Sequence, residues 1–317
     1  KFTATVDYFH EQRDGIYMER KYLPGIVGIV RSNPKANVGS VRSQGFDGHF
    51  AYKQKINRVN LTVRGNFTYS KNEILEKDEE NTVYPYQTEA GYRVNQAKGL
   101  IALGLFKDYD DIRNSPQQTA WGKVQPGDIK YKDVNGDGVI NDDDRVPLGS
   151  PYPDFIWGMT NSLKYKDFDL SFVIQGQVGG KVFNANGNYN EFNDRSPKYM
   201  SGRWLSEEHP GNGKVPYRDF GISHFLTDYL IEDAGFMALR DVTVGYTFPK
   251  KMLRKMGLSG LRVYATGQNL LYLMSSNYRG VNPEARSGSR AAMVKNSAQA
   301  GAFPIMRTYN VGLNINF

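Results

Sequence analysis

The sequence of 317 residues lacks cysteine altogether and contains only four histidines. Without cysteine, the chain cannot form disulfides, thiolate metal sites or a cysteine nucleophile. His10, His49, His209 and His224 lie far apart and form no HExxH motif or comparable metal-binding cluster. Long apolar runs are missing as well. Because no window approaches the ~18 consecutive apolar residues that a spanning helix needs, the sequence excludes a helical membrane protein.

The sequence also lacks the features of an enzyme or of a nucleic-acid-binding protein. Its formal net charge is +7, but the densest basic run, Lys250, Lys251, Arg254 and Lys255, covers one short segment. Nucleic-acid-binding surfaces carry denser basic patches, so we expect no nucleic-acid partner. No carboxylate pair shows catalytic spacing, and the glycine-rich segment 176–181 lacks the spacing and the Ser/Thr of a phosphate loop. We therefore predict that the chain is not an enzyme.

What the sequence does contain is aromatic residues, glycine and regular alternation. Its 21 tyrosines, 17 phenylalanines and 33 glycines are typical of a β-protein with many turns. Eight segments alternate between apolar and polar residues with a period of two, which predicts β-strands with one apolar and one polar face. These segments are residues 2–8, 46–52, 59–69, 155–165, 168–178, 238–248, 261–271 and 308–317.

The polar faces of these segments discriminate between two β-architectures. Between Val59 and Tyr69, apolar residues alternate with polar and charged ones such as Arg64 and Asn66. A dry sandwich core could not accept such side chains unpaired, whereas the lumen of a membrane barrel is wet. Most segments also run about nine to eleven residues, the length that crosses a bilayer when tilted. The pattern favours an all-β fold, a transmembrane antiparallel β-barrel, over a soluble sandwich.

The connections between the segments alternate in length. Short ones lie at about residues 53–58, 166–167 and 249–260, and long ones at 10–45, 70–154, 179–237 and 272–303. Outer-membrane barrels have short periplasmic turns and long extracellular loops. We therefore predict that the long connections, including 70–154, are extracellular and that Phe317 lies on the periplasmic side.

One long connection contains a motif with the spacing of a twelve-residue calcium loop, at residues 133–144. The predicted ligands are Asp133, Asn135, Asp137, the backbone carbonyl of Val139, Asn141 and Asp144. Asp144 replaces the usual glutamate, and the prolines that follow forbid the long exiting helix of an EF-hand. The alternative is an acidic turn that needs no metal. The ligand count favours a structural Ca²⁺ that stiffens the loop.

Aromatic residues in the long connections are candidates for contact with a cargo molecule. Rigid aromatic side chains stack on sugars and peptides, but they also pack loops together, and the sequence leaves both roles open. The candidates are Trp121, Tyr189, Phe192, Tyr199, Trp204 and Tyr217.

Several motifs, in order along the whole chain, resemble the SusC/RagA type of TonB-linked outer-membrane transporters of Bacteroides-like bacteria. No single motif carries the resemblance. The motifs are residues 6–9 (VDYF) with 14–16 (DGI), 37–42 (NVGSVR) with 45–47 (GFD), 127–131 (GDIKY) leading into the calcium-like loop, 144–149 (DRVPLG), 153–155 (PDF), 239–249 (LRDVTVGYTFP), 268–270 (QNL) and Phe317.

The resemblance implies a large plugged barrel of 22 strands that works beneath a lid lipoprotein of the SusD type. Residues 1–317 then form the C-terminal portion of the barrel, with eight of its strands, and lack the plug, the preceding strands and the segment that contacts TonB. The implied function is TonB-energised import of an oligosaccharide or peptide across the outer membrane of a Gram-negative bacterium.

The resemblance also implies that the last strand belongs to the signal read by the barrel-assembly machinery. That signal comprises Tyr309, Val311, Leu313, Ile315 and Phe317. Two alternatives remain open from the residues alone: a secreted calcium-dependent β-sandwich that binds glycans, and an autonomous eight-stranded barrel.

Overall fold

The computed structural model describes residues 1–20, 34–79, 82–183, 202–217, 227–254, 257–278, 282–284 and 304–317. No helix in these ranges is long and apolar enough to cross a membrane. The strands are β1 (Phe2–Glu19), β2 (Lys35–Ile56), β3 (Val59–Glu76), β4 (Ala97–Gly99), β5 (Ala102–Leu105), β6 (Ile129–Tyr131), β7 (Val146–Gly149), β8 (Pro153–Tyr165), β9 (Phe168–Gly179), β10 (Lys181–Phe183), β11 (Ile231–Asp233), β12 (Phe236–Thr247), β13 (Gly260–Met274) and β14 (Thr308–Asn316), and the α-helices are α1 (Tyr109–Arg113) and α2 (Lys250–Leu253).

One antiparallel sheet dominates the molecule. It contains eight strands in the order β1-β2-β3-β8-β9-β12-β13-β14. Each strand pairs with the next predicted segment along the chain, as in a meandering barrel wall. The other six strands form the two-stranded ladders β4–β7, β5–β6 and β10–β11, which lie within the long connections. The predicted all-β fold and its eight wall strands are confirmed.

The register of the wall places apolar side chains on one continuous face. Tyr8 lies opposite Phe46, Phe46 opposite Tyr69, and Tyr69 opposite Phe155. Residues that lie directly opposite each other share a face of the sheet, so this row and its alternate neighbours form a single apolar band. At the β14 edge, Val311 of the same band is 80% exposed. A band exposed in this way belongs against lipid, because a soluble sandwich would cover it with a second sheet.

The opposite face of the wall is polar and charged. On β3 and β8, Thr62 lies opposite Ser162, and Arg64 lies opposite Thr160. An ion pair also crosses this face: the Arg262 guanidinium donates to the Asp169 carboxylate at 2.6 Å. This face has the composition expected of a wet lumen.

The first three strands extend well beyond the lengths that the sequence predicts. The hydrogen-bonded register of β1 and β2 continues to the pair Glu19 and Lys35. Most of the connection predicted at 10–45 is therefore a hairpin that continues the wall. The alternation stops earlier than the strands do, because the outer face becomes polar once it has left the lipid while the backbone ladder continues.

The short connections are tight turns or a single helical turn. Asn57 and Lys166 adopt the left-handed conformation, with φ of 53° and 52°, at the β2–β3 and β8–β9 turns. The β12–β13 connection contains α2, whose Leu253 is buried at 1% exposure. These three connections lie at the same end of the wall, opposite the long ones.

A β-bulge interrupts the pairing of β12 with β9. Leu239 lies opposite Ile174, whereas the next pair is Asp241 with Val173, which leaves Arg240 as the extra residue of β12. Arg240, which has no partner residue in the strand register, donates a hydrogen bond to the Tyr272 hydroxyl and forms an ion pair with Glu284. The extra residue shifts the alternation by one, so that Leu239 and Val242 both stay on the apolar face.

The terminal strand pairs with β13 along its whole length, from Asn316 opposite Gly260 to Thr308 opposite Gln268. Its apolar residues, Tyr309, Val311, Leu313 and Ile315, all project from the lipid-facing side of the wall. Phe317, which follows the strand, is 91% exposed. Their role in barrel assembly stays a prediction.

Candidate functional site in the long connections

The second and third long connections pack together around one hydrophobic core. Residues 77–152 join β3 to β8, and residues 180–235 join β9 to β12. Val215 and Leu230 of the later connection pack against residues of the earlier one, and each is at most 5% exposed. Among the described residues, the core consists of Ala97, Leu100, Ile129, Tyr131, Ile140, Val215 and Leu230. We call this structure the loop unit.

Backbone hydrogen bonds fasten the two halves of the loop unit to each other. The amide of Asp228 donates to the carbonyl of Leu100 at 3.1 Å. The Asp228 carboxylate in turn accepts the amide of Ala102 at 2.7 Å. A third bond runs from the amide of Tyr217 to the carbonyl of Gly127 at 2.9 Å. Hydrophobic contact and hydrogen bonding thus join the same two connections.

Burial and hydrogen bonding shift the pKa values of several titratable groups in the loop unit. Burial raises the pKa of the Tyr131 phenol and also that of the Asp228 carboxyl, because it disfavours the charged form of each group. The hydrogen bond from Lys130, at 2.8 Å, lowers the pKa of the Asp111 carboxyl.

Replacing Asp228 with asparagine is expected to remove one source of pH dependence from the loop unit. A carboxyl whose folded pKa is raised stabilises the fold below its unfolded pKa, and this contribution disappears as pH rises through the folded pKa. Between about pH 7 and pH 4, the loop unit of the native chain should therefore gain stability that Asp228→Asn does not gain. The variant amide oxygen can still accept the Ala102 amide. Hydrogen exchange at both pH values measures the difference, and equal gains in the two proteins would contradict it.

The calcium-like loop folds as a series of tight side-chain turns. The Asp133 carboxylate accepts the amides of Gly136 and Gly138 at 2.6 and 2.9 Å. Asp137 accepts the amide of Val139 at 2.8 Å. Ile140, the next residue, is buried in the core of the loop unit, which fixes the loop to its support.

The last predicted ligands close the loop from the inside. Asp144 is fully buried and accepts the amides of Val134 and Asn141 at 2.7 and 2.9 Å. The Asn141 side chain accepts the amide of Asp143 at 2.6 Å. Asn135 donates to the Asp137 carboxylate at 2.9 Å. Within the described ranges, no three or more Asp, Glu, His or Cys residues are grouped so that they could hold a metal ion. The calcium site stays a prediction.

Two of the predicted aromatic residues meet at a cavity of about 510 Å³ on the loop unit. The rings of Trp204 and Tyr217 pack edge to face, with centroids 5.7 Å apart. Trp204 is only 8% exposed, and its indole is so close to Gly127 that a β-carbon there would lie 2.4 Å from the ring. Glu207 and Glu208 also line the cavity. The cavity therefore combines aromatic surface with carboxylates.

Of the other aromatic candidates, the structure describes only Trp121, which does not line this cavity. Trp121 packs against the core of the loop unit, so its position is that of a packing residue. Tyr189, Phe192 and Tyr199 lie outside the described residues. Sequence reasoning missed Tyr109 and the carboxylates that line the cavity. In the sequence, the sign of an acidic lining was the pair of adjacent glutamates, Glu207 and Glu208, shortly after Trp204.

The chain was compared with known proteins. No family model matches it. It is 28% identical to TonB-dependent receptor P3 of Formosa agariphila, over the whole chain and 32% of that receptor. It is 35% identical to receptor P26 of the same bacterium, over 69% of the chain and 22% of the relative. TonB-dependent receptor SusC of Bacteroides thetaiotaomicron is 26% identical over the whole chain and 30% of its own length.

Solved structures show the same fold. The RagAB peptide importer in its open-open state matches the whole chain and 33% of its own chain, with a TM-score of 0.70 and 19% identity. The closed-closed state of RagAB gives a TM-score of 0.68 at 20% identity.

The lipid-facing band, the polar inner face and these similarities define the chain as part of the wall of a transmembrane β-barrel. The chain belongs to the SusC-like TonB-dependent receptors, which are proteins of the outer membrane of Gram-negative bacteria. The predicted family and location are confirmed. The chain spans between 22% and 32% of the length of the receptors that it matches. Its relatives are named as receptors and importers, which agrees with the prediction of a protein other than an enzyme.

Proposed function

We propose that the receptor containing this chain imports a nutrient across the outer membrane. The chain supplies part of the barrel wall and an extracellular surface made by the loop unit. The observation that carries the proposal is the wall itself, with a continuous apolar face, a polar inner face and long connections at one end only. That architecture serves passage through a membrane. Nothing in the described residues suggests a catalytic role, and we assign none.

The partners follow from the family. A SusD-like lipoprotein covers the extracellular mouth and holds cargo between itself and the loops, and TonB supplies the energy through parts of the receptor that precede this chain in the family. The cargo is an oligosaccharide or a peptide. The cavity beside Trp204 and Tyr217 is the place where this chain offers cargo an aromatic and acidic surface.

Uptake by whole cells tests this function. Cells that carry the intact receptor should accumulate a labelled oligosaccharide or a labelled peptide, and the accumulation should cease when the receptor, the lipoprotein or TonB is deleted. Uptake of one class alone would identify the cargo. Unchanged uptake of both classes in the receptor deletion, under conditions in which the cell expresses the receptor, would contradict the proposal.

We also propose that residues 133–144 bind Ca²⁺ with weak to moderate affinity and thereby stiffen the loop unit. The oxygens of Asp133, Asn135 and Asp137 lie on one tight loop, and each carboxylate has lone pairs beyond those used by the amides. The bound ion would supply charge neutralisation and rigidity there, with no role in a reaction.

Replacing Asp137 with alanine is expected to abolish calcium binding and to loosen the loop, because a hard cation loses one of its few charged ligands. Calorimetry on the intact receptor should give a heat of Ca²⁺ binding that the variant lacks. Asp110→Ala is the matched control, since Asp110 is an exposed carboxylate of α1, paired with Arg113, in the same connection. Folded native receptor that gives no heat with Ca²⁺ would remove the site.

A further inference from the structure

The outer face of the wall changes from apolar to charged at a defined height. On β2 and β3, Phe46 lies opposite Tyr69, the next pair on the same face is Gln44 with Lys71, and the pair after that is Arg42 with Glu73. Alternate pairs of an antiparallel ladder project from the same face. These polar side chains therefore continue the lipid-facing side of the wall above its last aromatic row.

The height of this change corresponds to the lipid headgroups. Val59 to Tyr69 makes eleven residues, enough for a tilted strand to cross the hydrocarbon core. The β2–β3 turn at Asn57 marks the periplasmic end of that span. Lys71 lies about 7 Å beyond Tyr69 along the strand, and Glu73 about 14 Å beyond it. Both project toward the outer leaflet at the level where its hydrocarbon ends.

The chain forms a cavity of about 240 Å³ at this level. The segment around Gly91 and Tyr92 is held against β3 by two hydrogen bonds of 2.8 Å with the backbone of Ile74. The cavity lies between this segment and the outer face of β2 and β3, with Tyr92 and Gln96 among the residues that line it. The charged residues therefore line a pocket and do not simply form a charged patch on a flat surface.

Positive charge dominates the lining of this cavity. Arg42, Lys71 and Arg93 line it, against the single carboxylate of Glu73. Arg42 is paired with Glu73 at 2.6 Å, and Arg93 is paired with Asp154. The Lys71 ammonium lies 5.9 Å from the centre of the Tyr69 ring and makes no hydrogen bond or ion pair with any part of the chain that the structure describes. One cation of the cavity is thus available to an anion.

We propose that this cavity binds a phosphate of an outer-leaflet lipid headgroup. Lys71 supplies the charge contact, and Arg42 and Arg93 supply further N–H donors, since phosphate oxygens accept several charge-assisted hydrogen bonds. The acyl chains of the same lipid descend along Tyr69 and Phe46, so the polar and apolar parts of one molecule meet matching surfaces of the wall. The ligand is a lipid of the surrounding membrane, distinct from any imported cargo.

The test uses the intact receptor, purified in a neutral detergent, and lipopolysaccharide as the probe. Native mass spectrometry or a titration should show binding of phosphorylated lipopolysaccharide and at least several-fold weaker binding of the enzymatically dephosphorylated form. Lys71→Gln should weaken binding about fivefold, the effect of one basic residue near an anionic membrane surface. Glu73→Gln should tighten it, because the change removes the one carboxylate of the cavity and releases Arg42.

The matched control is Lys164→Gln, at a lysine on the polar face near the short-turn end, which should bind the lipid as the native receptor does. A change that merely damaged the barrel would move Lys71→Gln and Glu73→Gln in the same direction, whereas the proposal requires opposite directions. Equal binding by Lys71→Gln and the native receptor would overturn the proposal. Displacement of the lipid by inorganic phosphate at the same concentration would also overturn it, because the site would then be one for free phosphate.

Discussion

Replacing Ile174 with lysine is expected to lower the free energy of unfolding of the membrane-inserted receptor by about 2–4 kcal/mol, the cost of a lysine on the lipid face near the bilayer midplane. Ile174 belongs to the apolar band, where it lies opposite Met159 on one side and Leu239 on the other. It lies midway along β9, far from both edges of the band. Urea titration of the receptor in lipid bilayers measures the change.

Val173→Lys is the control for this prediction, because Val173 is the adjacent β-branched residue and projects from the opposite face. It lies opposite Thr160 and Asp241, and a lysine there would meet water and a carboxylate. The expected change in unfolding free energy is within about 0.5 kcal/mol. If both lysine variants lost the same stability, the assignment of the two faces to lipid and lumen would be wrong.

Replacing Leu100 with alanine is expected to destabilise the whole loop unit by about 2–5 kcal/mol, because a fully buried leucine leaves a cavity when it is truncated. Leu100 is 0% exposed and lies in the core shared by the two connections. Protection against hydrogen exchange should therefore fall around Leu230 as well as around Leu100, although more than a hundred residues separate them in sequence.

Leu103→Ala provides the comparison for the loop unit, since Leu103 is in β5, close to Leu100 in the chain, and is 58% exposed. Its expected effect is within about 0.5 kcal/mol. Loss of protection confined to residues 77–152 in the Leu100→Ala protein, with Leu230 unaffected, would mean that the two connections fold independently.

The sequence predicts the membrane-spanning parts of the wall closely, because lipid on one side and water on the other force strict alternation. The segment predicted at 168–178 corresponds to β9, Phe168–Gly179. Where both faces of a strand meet water, both carry polar residues, so the sequence no longer alternates. The extensions of β1 to Glu19 and of β2 to Lys35 are therefore invisible to that pattern, although the two strands stay paired to their ends, with register shifts on either side of Ile16.

The bulge at Arg240 escapes sequence reasoning for a different reason. The apolar–polar alternation of β12 continues past Arg240 and Asp241 only if one residue is left out of the count. The local sequence does not indicate which residue that is. The pairing with β9 decides it, and pairing is a property of two distant segments. Ladder geometry of this kind cannot be recovered from the periodicity of one strand alone.

The candidate cavity shows the same division between local and long-range information. The hydrogen bond from the amide of Trp204 to the carbonyl of Val215 folds the third connection back on itself and places Tyr217 beside the indole. Because these residues are close together in the sequence, this part of the cavity could have been predicted from the sequence. Tyr109 and Gln125 come from the second connection. Their arrival at the same cavity depends on the shared core, which no spacing motif encodes.

That shared core also limits how such a receptor can be re-engineered or can diversify. A graft that exchanged residues 77–152 alone for those of a relative would retain Val215 and Leu230 but remove their partners, leaving half a core exposed to water. New cargo preferences should therefore arise through paired exchange of both connections, or through changes confined to exposed positions. Among natural relatives, we expect core residues of the two connections to vary together, as the two sides of an obligate interface do.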